Sequence, residues 1–329
     1  MKSIPHFSRL LPGSLAVAAL LLLATRLQAQ PPVWPVWDNF ADGNDAAWAH
    51  QWQEAYSTGQ TWTEANGTYT LTCIANGLQV QGYSLGYVGS ICGPTNYDST
   101  VQVDLVTFPP VGTNAGFGIL MRGAGFDAIP PFSDSNPPAL VATAAYICGY
   151  LPEGSLLGNS PTPNGTLQFF RIDPIQVNPN VLTVLGTAAN IDLDPNLRYT
   201  MSASCNGSTL VGKIWETGNP ANVLATTTTT DTTYAFGRSG LFALNGGPMP
   251  PANIAFANYK SMPTILSSAQ PNTGWASDPT AVMDPVLGTV TIPQNGAARF
   301  YALPWSASIT SINLVGNNVV LTFPAPASL

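Results

Sequence analysis

Charge is scarce in this chain. Only 8% of its 329 residues are Asp, Glu, Lys or Arg, against 10% aromatic, and that balance excludes disorder driven by charge. Histidine is scarcer still, with two in all and only His50 beyond the first 29 residues. A Ser-His-Asp relay would have that one base to use, and no GxSxG elbow is present to supply its nucleophile. Neither a P-loop nor a dinucleotide-binding glycine pattern occurs; the 30 glycines punctuate turns instead. Helical periodicity is nearly absent. It is confined to Asp45 to Ala55, where Ala46, Ala47, Trp48 and Trp52 predict one or two turns behind an Asp or Asn cap.

The first residues read as an address. Lys2 and Arg9 supply positive charge, Ser14 to Ala24 is an apolar run, and Leu27-Gln28-Ala29 offers a small residue ahead of Gln30. The run is shorter than the roughly 20 residues a membrane span needs, so residues 1–29 are predicted to be a signal peptide and the chain to be secreted, extracellular or at the cell surface. Removing Lys2, Arg9 and Arg26 leaves seven cations against 17 acids, a balance of −10. Nucleic acid is a poor partner for such a surface; neutral sugars and divalent cations are better ones.

Four cysteines, Cys73, Cys92, Cys148 and Cys205, lie in the exported part with no CxxC spacing, which argues against a zinc knuckle or a thioredoxin-like site. An even count in a secreted chain predicts disulfides. Of three connectivities, Cys73 with Cys92 would staple neighbouring strands and Cys148 with Cys205 would join two long β segments.

What the sequence has in abundance is strand signal. Gly67 to Val80, Ser99 to Phe108, Ala115 to Arg122, Leu140 to Leu151, Gly165 to Ile172, Tyr199 to Cys205 and Thr209 to Glu216 are short, β-branched or aromatic segments between turn residues. In Thr100 to Leu105 the order T, V, Q, V, D, L puts the apolar residues on one face, as a half-buried antiparallel strand requires. Val36 to Trp52 opens the folded part, and Ile254 to Met262 has the pattern of a strand that lies beside it and closes the domain. Many short antiparallel strands over about 230 residues predict two face-packed sheets. Thr226 to Thr233 is low-complexity and reads as a loop or an edge strand.

DNFADGNDAAW, the VQVDLV strand, GFGILMRG, GSTLVGKIWE and the SGLFALN and IAFANYK close together resemble the concanavalin A-like, laminin G-like jelly-roll domains of secreted bacterial proteins. The resemblance covers residues 33–262 and implies an all-β, antiparallel β-sandwich. Families of that fold include sugar-binding modules, adhesion domains and glycoside hydrolases. A laminarinase-like hydrolase of this kind carries ExDxxE on one strand, because retaining chemistry needs two carboxyls about 5 Å apart. That pattern is missing. The only glutamates are Glu54, Glu64, Glu153 and Glu216, and Asp192 with Asp194 reads as a strand end and turn.

Two binding features remain. Asp38, Asp42 and Asp45, with Asn39 and Asn44, present hard oxygen ligands at close spacing, which suits Ca²⁺ although it does not match an EF-hand; the same DGND run is also a good turn. Trp48, Trp52 and Trp62 crowd one region with Trp34, Trp37 and Tyr56, and the Pro-rich stretch from Gly123 to Pro138 carries Phe126 and Phe132. Aromatic faces of this sort stack on the C–H face of a sugar ring, and they are equally good core residues.

After Met262 the composition changes. Residues 263–284 read as a linker, and GTVTIP, ARFYALP, ITSINLVG and NNVVLTF as strands of a small C-terminal β module, 285–329. DPVLGTVTIPQNGAARFYAL and ITSINLVGNNVVLTF resemble a tail module of secreted proteins from environmental bacteria, which implies display, attachment or sorting; Ala302 stands where relatives often have Arg. The expectation is a non-catalytic secreted protein that recognises an extracellular glycan or a cell-surface partner. The alternatives are a polysaccharide-active enzyme of the same fold and a structural adhesion component.

Overall fold

Alternate side chains of Ser99–Thr107 are buried. Val101, Val103 and Leu105 point into the molecule and Gln102 and Asp104 point out of it. The computed structural model describes residues 36–44, 48–53, 60–74, 78–80, 83–96, 98–110, 115–124, 144–153, 164–173, 182–246, 251–268, 276–277, 281–284, 287, 289–293, 300–302 and 309–323, and among them every regular element is a strand. In chain order these are β1 Val36–Asp38, β2 Trp48–Gln53, β3 Thr61–Ala65, β4 Thr68–Cys73, β5 Leu78–Val80, β6 Tyr83–Asn96, β7 Ser99–Thr107, β8 Ala115–Ala124, β9 Ala144–Leu151, β10 Thr166–Ile172, β11 Leu182–Asn190, β12 Tyr199–Asn206, β13 Thr209–Glu216, β14 Val223–Thr230, β15 Gly237–Gly246, β16 Ala252–Pro263, β17 Leu266–Ser268, β18 Ala276–Ser277, β19 Val282–Asp284, β20 Thr289–Pro293, β21 Phe300–Ala302, β22 Ser311–Val315 and β23 Asn318–Thr322.

Sheet I runs β14-β13-β12-β7-β16-β4-β3 with β1 on β16, and sheet II runs β11-β10-β9-β8-β15-β6-β2 with β5 on β6. Their ladders are antiparallel. Val103, Met201, Ile254 and Phe256 of sheet I and Phe117, Ile119, Phe169 and Leu241 of sheet II share one core. Burial of each such side chain contributes roughly 1.5–3 kcal/mol. The result is the antiparallel jelly-roll sandwich that the alternation predicts. Closure comes from β1 lying against β16, Val36 opposite Ser261 and Asp38 opposite Tyr259, and the Thr-rich segment is the edge strand β14. The C-terminal segments form a three-stranded sheet, β18-β17-β21, and a four-stranded one, β19-β20-β23-β22. Ile265, Met283, Val290, Ile292 and Phe323 make a small core of their own there.

Two expectations are corrected. Trp48 to Gln53 is not helical: it is β2, paired with β6 through Trp48 opposite Cys92. The Trp48 ring fills the core, where an aromatic on a pleated strand packs well. The four cysteines are free thiols, all buried. Cys73 and Cys205 belong to sheet I and Cys92 and Cys148 to sheet II, so the proposed pairs are not ladder neighbours. Each thiol packs as a small apolar group. Burial pushes the Cys205 thiol up to about 12 and the other three higher still. Cys148 in particular sits over Gly212 of β13, where a Cβ would collide with its Sγ.

One polar cluster at the end of the sandwich is tied down by hydrogen bonds. Arg171 Nε and Nη2 donate to the two oxygens of Asp173 and its Nη1 to Asp231 at 2.8 Å. Tyr146 donates to Asp231 at 2.6 Å and Tyr234 to Asp173 at 2.7 Å. Burial alone would raise the Asp231 carboxyl, but the hydroxyls of Tyr146 and Thr233 and the Arg171 charge outweigh it and hold Asp231 below the usual carboxylate range. This network fastens β10 to the segment after β14.

Candidate functional site

The outer face of sheet I carries a row of polar side chains that no single stretch of sequence displays. Read across the strands, Thr226 of β14 lies opposite Lys213 of β13, Lys213 opposite Ser202 of β12, Ser202 opposite Gln102 of β7, Gln102 opposite Lys260 of β16, and Lys260 opposite Trp37 of β1. All six occupy outward positions because their neighbours in each strand are the buried ones. With strands about 4.8 Å apart, five steps make a row of roughly 24 Å. A second row beside it runs Thr228, Val211, Ser204, Thr100, Met262.

Two hollows share this face. One, of about 570 Å³, has Gln102, Ser202, Lys213 and Lys260 on its floor and Val282 to Asp284 as a wall. The other, of about 350 Å³, is bounded by Trp37, Asn39, Gln102, Asp104, Asn258 and Lys260. Gln102 and Lys260 line both, so the hollows adjoin each other. A bulge in β16 between Ala257 and Lys260 shapes the second one. It places Asn258 in the left-handed region at φ 51°, a conformation Asn tolerates better than most residues. Asn258 Nδ2 then donates to Asp104 Oδ2 at 2.8 Å, and Thr200 Oγ1 donates to Asp104 Oδ1 at 2.7 Å. Both oxygens of that carboxylate are therefore engaged.

The outer face of sheet II is of a different kind. The corresponding row is Ile91, Gly240, Leu120, Ile147, Phe170 and Val184, and all but Val184 are buried. The gap among Phe117, Ile147, Leu151, Phe170, Phe242 and Leu244 is only about 10 Å³, room for one water at most. No strand of sheet II carries Asp or Glu, so the described strands hold no carboxylate pair of the glycosidase type on that sheet.

Of the residues expected to bind ligand, two have described side chains, and both pack on the core. Trp48 is 4% exposed. Its ring stacks on Tyr69 with centroids 5.1 Å apart, meets Tyr259 edge-on at 4.9 Å, and donates Nε1 to Asp38 Oδ2 at 3.0 Å. With its faces covered it offers nothing to a sugar. Trp62 is partly buried against the same core. Trp52 is on β2, with its side chain outside the described residues, and Phe126 and Phe132 lie outside them altogether. Of the five, Trp48 and Trp62 are therefore turned towards the core, and among the described residues the aromatics lining the two hollows are Trp37 and Tyr259. A sign of this stood in the sequence, since VWD alternates and Trp37 must face away from Asp38, but the choice of outward face needed the core.

Among the three acidic residues of the turn, Asp38 is fully buried and accepts from Phe40 N at 2.7 Å as well as from Trp48. Burial raises its carboxyl above the usual range despite these bonds. Asp42 Oδ1 accepts from Asn44 N at 3.1 Å, a turn-closing contact. Asp45 lies outside the described residues. Glu64 approaches the turn from β3, and burial, the adjacent Asp42 carboxyl and the Asp38 charge push it from 4.5 up to about 7. Among the described residues no group of three or more His, Cys, Asp or Glu is placed to hold a metal ion.

No protein-family model and no curated protein matches the chain. Solved structures do. A carbohydrate-binding module from Bacillus subtilis is similar over 64% of this chain and 96% of its own, at 14% identity and a TM-score of 0.37. A β-glucanase from Bacillus licheniformis is similar over 71% and 99%, at 13% identity and 0.40. A lectin complexed with galactose is similar over 70% and 98%, at 6% identity and 0.38. At such values the likenesses leave the function to be argued from the chain itself.

Proposed function

We propose that this is an exported, non-catalytic carbohydrate-binding protein that takes a polysaccharide chain along the outer face of sheet I. The observation that carries the reading is the cross-strand row from Lys213 to Trp37, whose members line two adjoining hollows on one face. Trp37 supplies an apolar ring for the C–H face of a sugar, and Gln102 and Ser202 supply neutral donors and acceptors for its hydroxyls. An extended polymer fits a row of this length better than a single sugar. Such a site orients and holds; nothing in it pairs an acid with a nucleophile.

The test is titration of the chain lacking residues 1–29 with soluble polysaccharides, in calcium and then in chelator. Trp37→Ala is expected to weaken binding by about tenfold or more, since an aromatic stacking contact is worth roughly 1–3 kcal/mol. Calcium dependence would bring the turn at Asp38, Asp42 and Asp45 into the site. Unchanged binding by Trp37→Ala would remove the proposed face. Absence of binding by the parent chain to any polysaccharide, with capture of a cell-surface protein instead, would replace the glycan by that protein.

A further inference from the structure

We infer that the groove is built for an acidic polysaccharide, a chain whose uronate carboxylates meet Lys213 and Lys260; this rests on the carbohydrate reading above and narrows it. The sequence has only three lysines, and the two beyond the N-terminal leader, Lys213 and Lys260, line the same groove. They stand in one cross-strand row with Ser202 and Gln102 between them, three strand spacings or about 14 Å apart.

These two ammonium groups are also uncommitted. Neither makes a hydrogen bond or an ion pair with any described residue, whereas Arg122 is held by Asp98 at 3.1 Å and Arg171 by Asp173 and Asp231. Two acids share the groove with them without pairing to them: Asp104 accepts from Thr200 and Asn258, and Asp284 accepts from Leu287 N. In a chain of formal net charge −7, a groove that sets two lysines against Asp104 and Asp284 is less acidic than the rest of the surface, and anionic ligands are drawn there in preference to it.

Carboxylates suit the site better than sulfates. A lysine is a point charge with three donors, and among the described arginines none lines this groove, so the spacing of charge along the ligand decides between the two. Two cations separated by neutral hydrogen-bonding residues match sparse carboxylates along a sugar chain. A densely sulfated chain would leave most of its charge facing an acidic protein.

The experiment is calorimetry or affinity electrophoresis with polygalacturonate, a neutral β-glucan and dextran sulfate, using the parent chain, Lys213→Ala/Lys260→Ala and Trp37→Ala. Polygalacturonate is expected to bind most tightly and to weaken with added salt as the Debye length shortens. The double lysine variant should lose about tenfold in affinity for it, two exposed ion pairs' worth, and most of the salt dependence, while its melting temperature stays unchanged. Neutral glucan bound as well as polygalacturonate, with the lysine variant unaffected, would overturn the acidic assignment and leave the carbohydrate reading standing. Dextran sulfate bound more tightly than polygalacturonate would overturn the choice of carboxylate. Failure of all three polysaccharides would overturn both readings together.

Discussion

The two outward faces of the sandwich are built by the same strand geometry and end in opposite chemistry. Across sheet I the row reads Trp37, Lys260, Gln102, Ser202, Lys213, Thr226; across sheet II it reads Ile91, Gly240, Leu120, Ile147, Phe170, Val184. Strands of sheet I alternate between buried and accessible, as in β7 and β12, whereas β8 and β9 are buried at nearly every position. A strand with one wet face must alternate, and a strand covered on both faces has no reason to. The difference teaches that, among the described residues, sheet I is the one whose outward row keeps polar groups open to solvent.

The largest expected effect comes from cutting into the covered face. Leu120→Ala removes a fully buried side chain and should cost roughly 2–5 kcal/mol, whereas Gln102→Ala, at the matching central position of the other row, should change stability by less than about 0.5 kcal/mol. Urea unfolding of both variants checks this, and equal costs would erase the distinction between the faces.

A smaller effect probes the core that the two sheets share. Gly212→Val would drive a side chain into Cys148 Sγ from across the sandwich and should cost about 1–3 kcal/mol. Adding Cys148→Ala should return part of that loss, since the two sites are in contact. A cost that Cys148→Ala leaves untouched would mean the contact is elsewhere.

The smallest effect lies at the edge of sheet I and is set by pH. Glu64, raised from 4.5 to about 7 in the folded protein, keeps its proton where the unfolded chain has released it. Stability is therefore full below about pH 4.5 and falls as pH rises towards 7. Glu64→Gln should flatten that slope in thermal melts taken across the same range, and an identical slope would place its origin in another group.

Much of the sandwich was legible because alternation is local. VQVDLV reports its own buried face, and IAFANYK declared the strand that meets the opening segment. The groove was not legible, since residues 37, 102, 202, 213, 226 and 260 meet only when strand order and register are known, and a slip of one residue would turn every one of them inward. Aromatic crowding does not say which ring is accessible: Trp48 and Trp37 both stand beside acidic turns, and only the position of the core shows that Trp48 is covered. The cysteines misled for a related reason. An even count permits disulfides, but placing Cys73 and Cys92 in different sheets removes the neighbouring strands that the pairing assumed.

Hydroxyl-radical footprinting with and without a bound polysaccharide tests the central claim most directly. Trp37 and Met262 are reactive side chains on the outer face of sheet I, and Phe242 is buried in sheet II. Ligand should protect Trp37 and Met262 and leave Phe242 as it was. Saturating ligand that leaves Trp37 and Met262 fully reactive would place recognition away from sheet I and contradict the account.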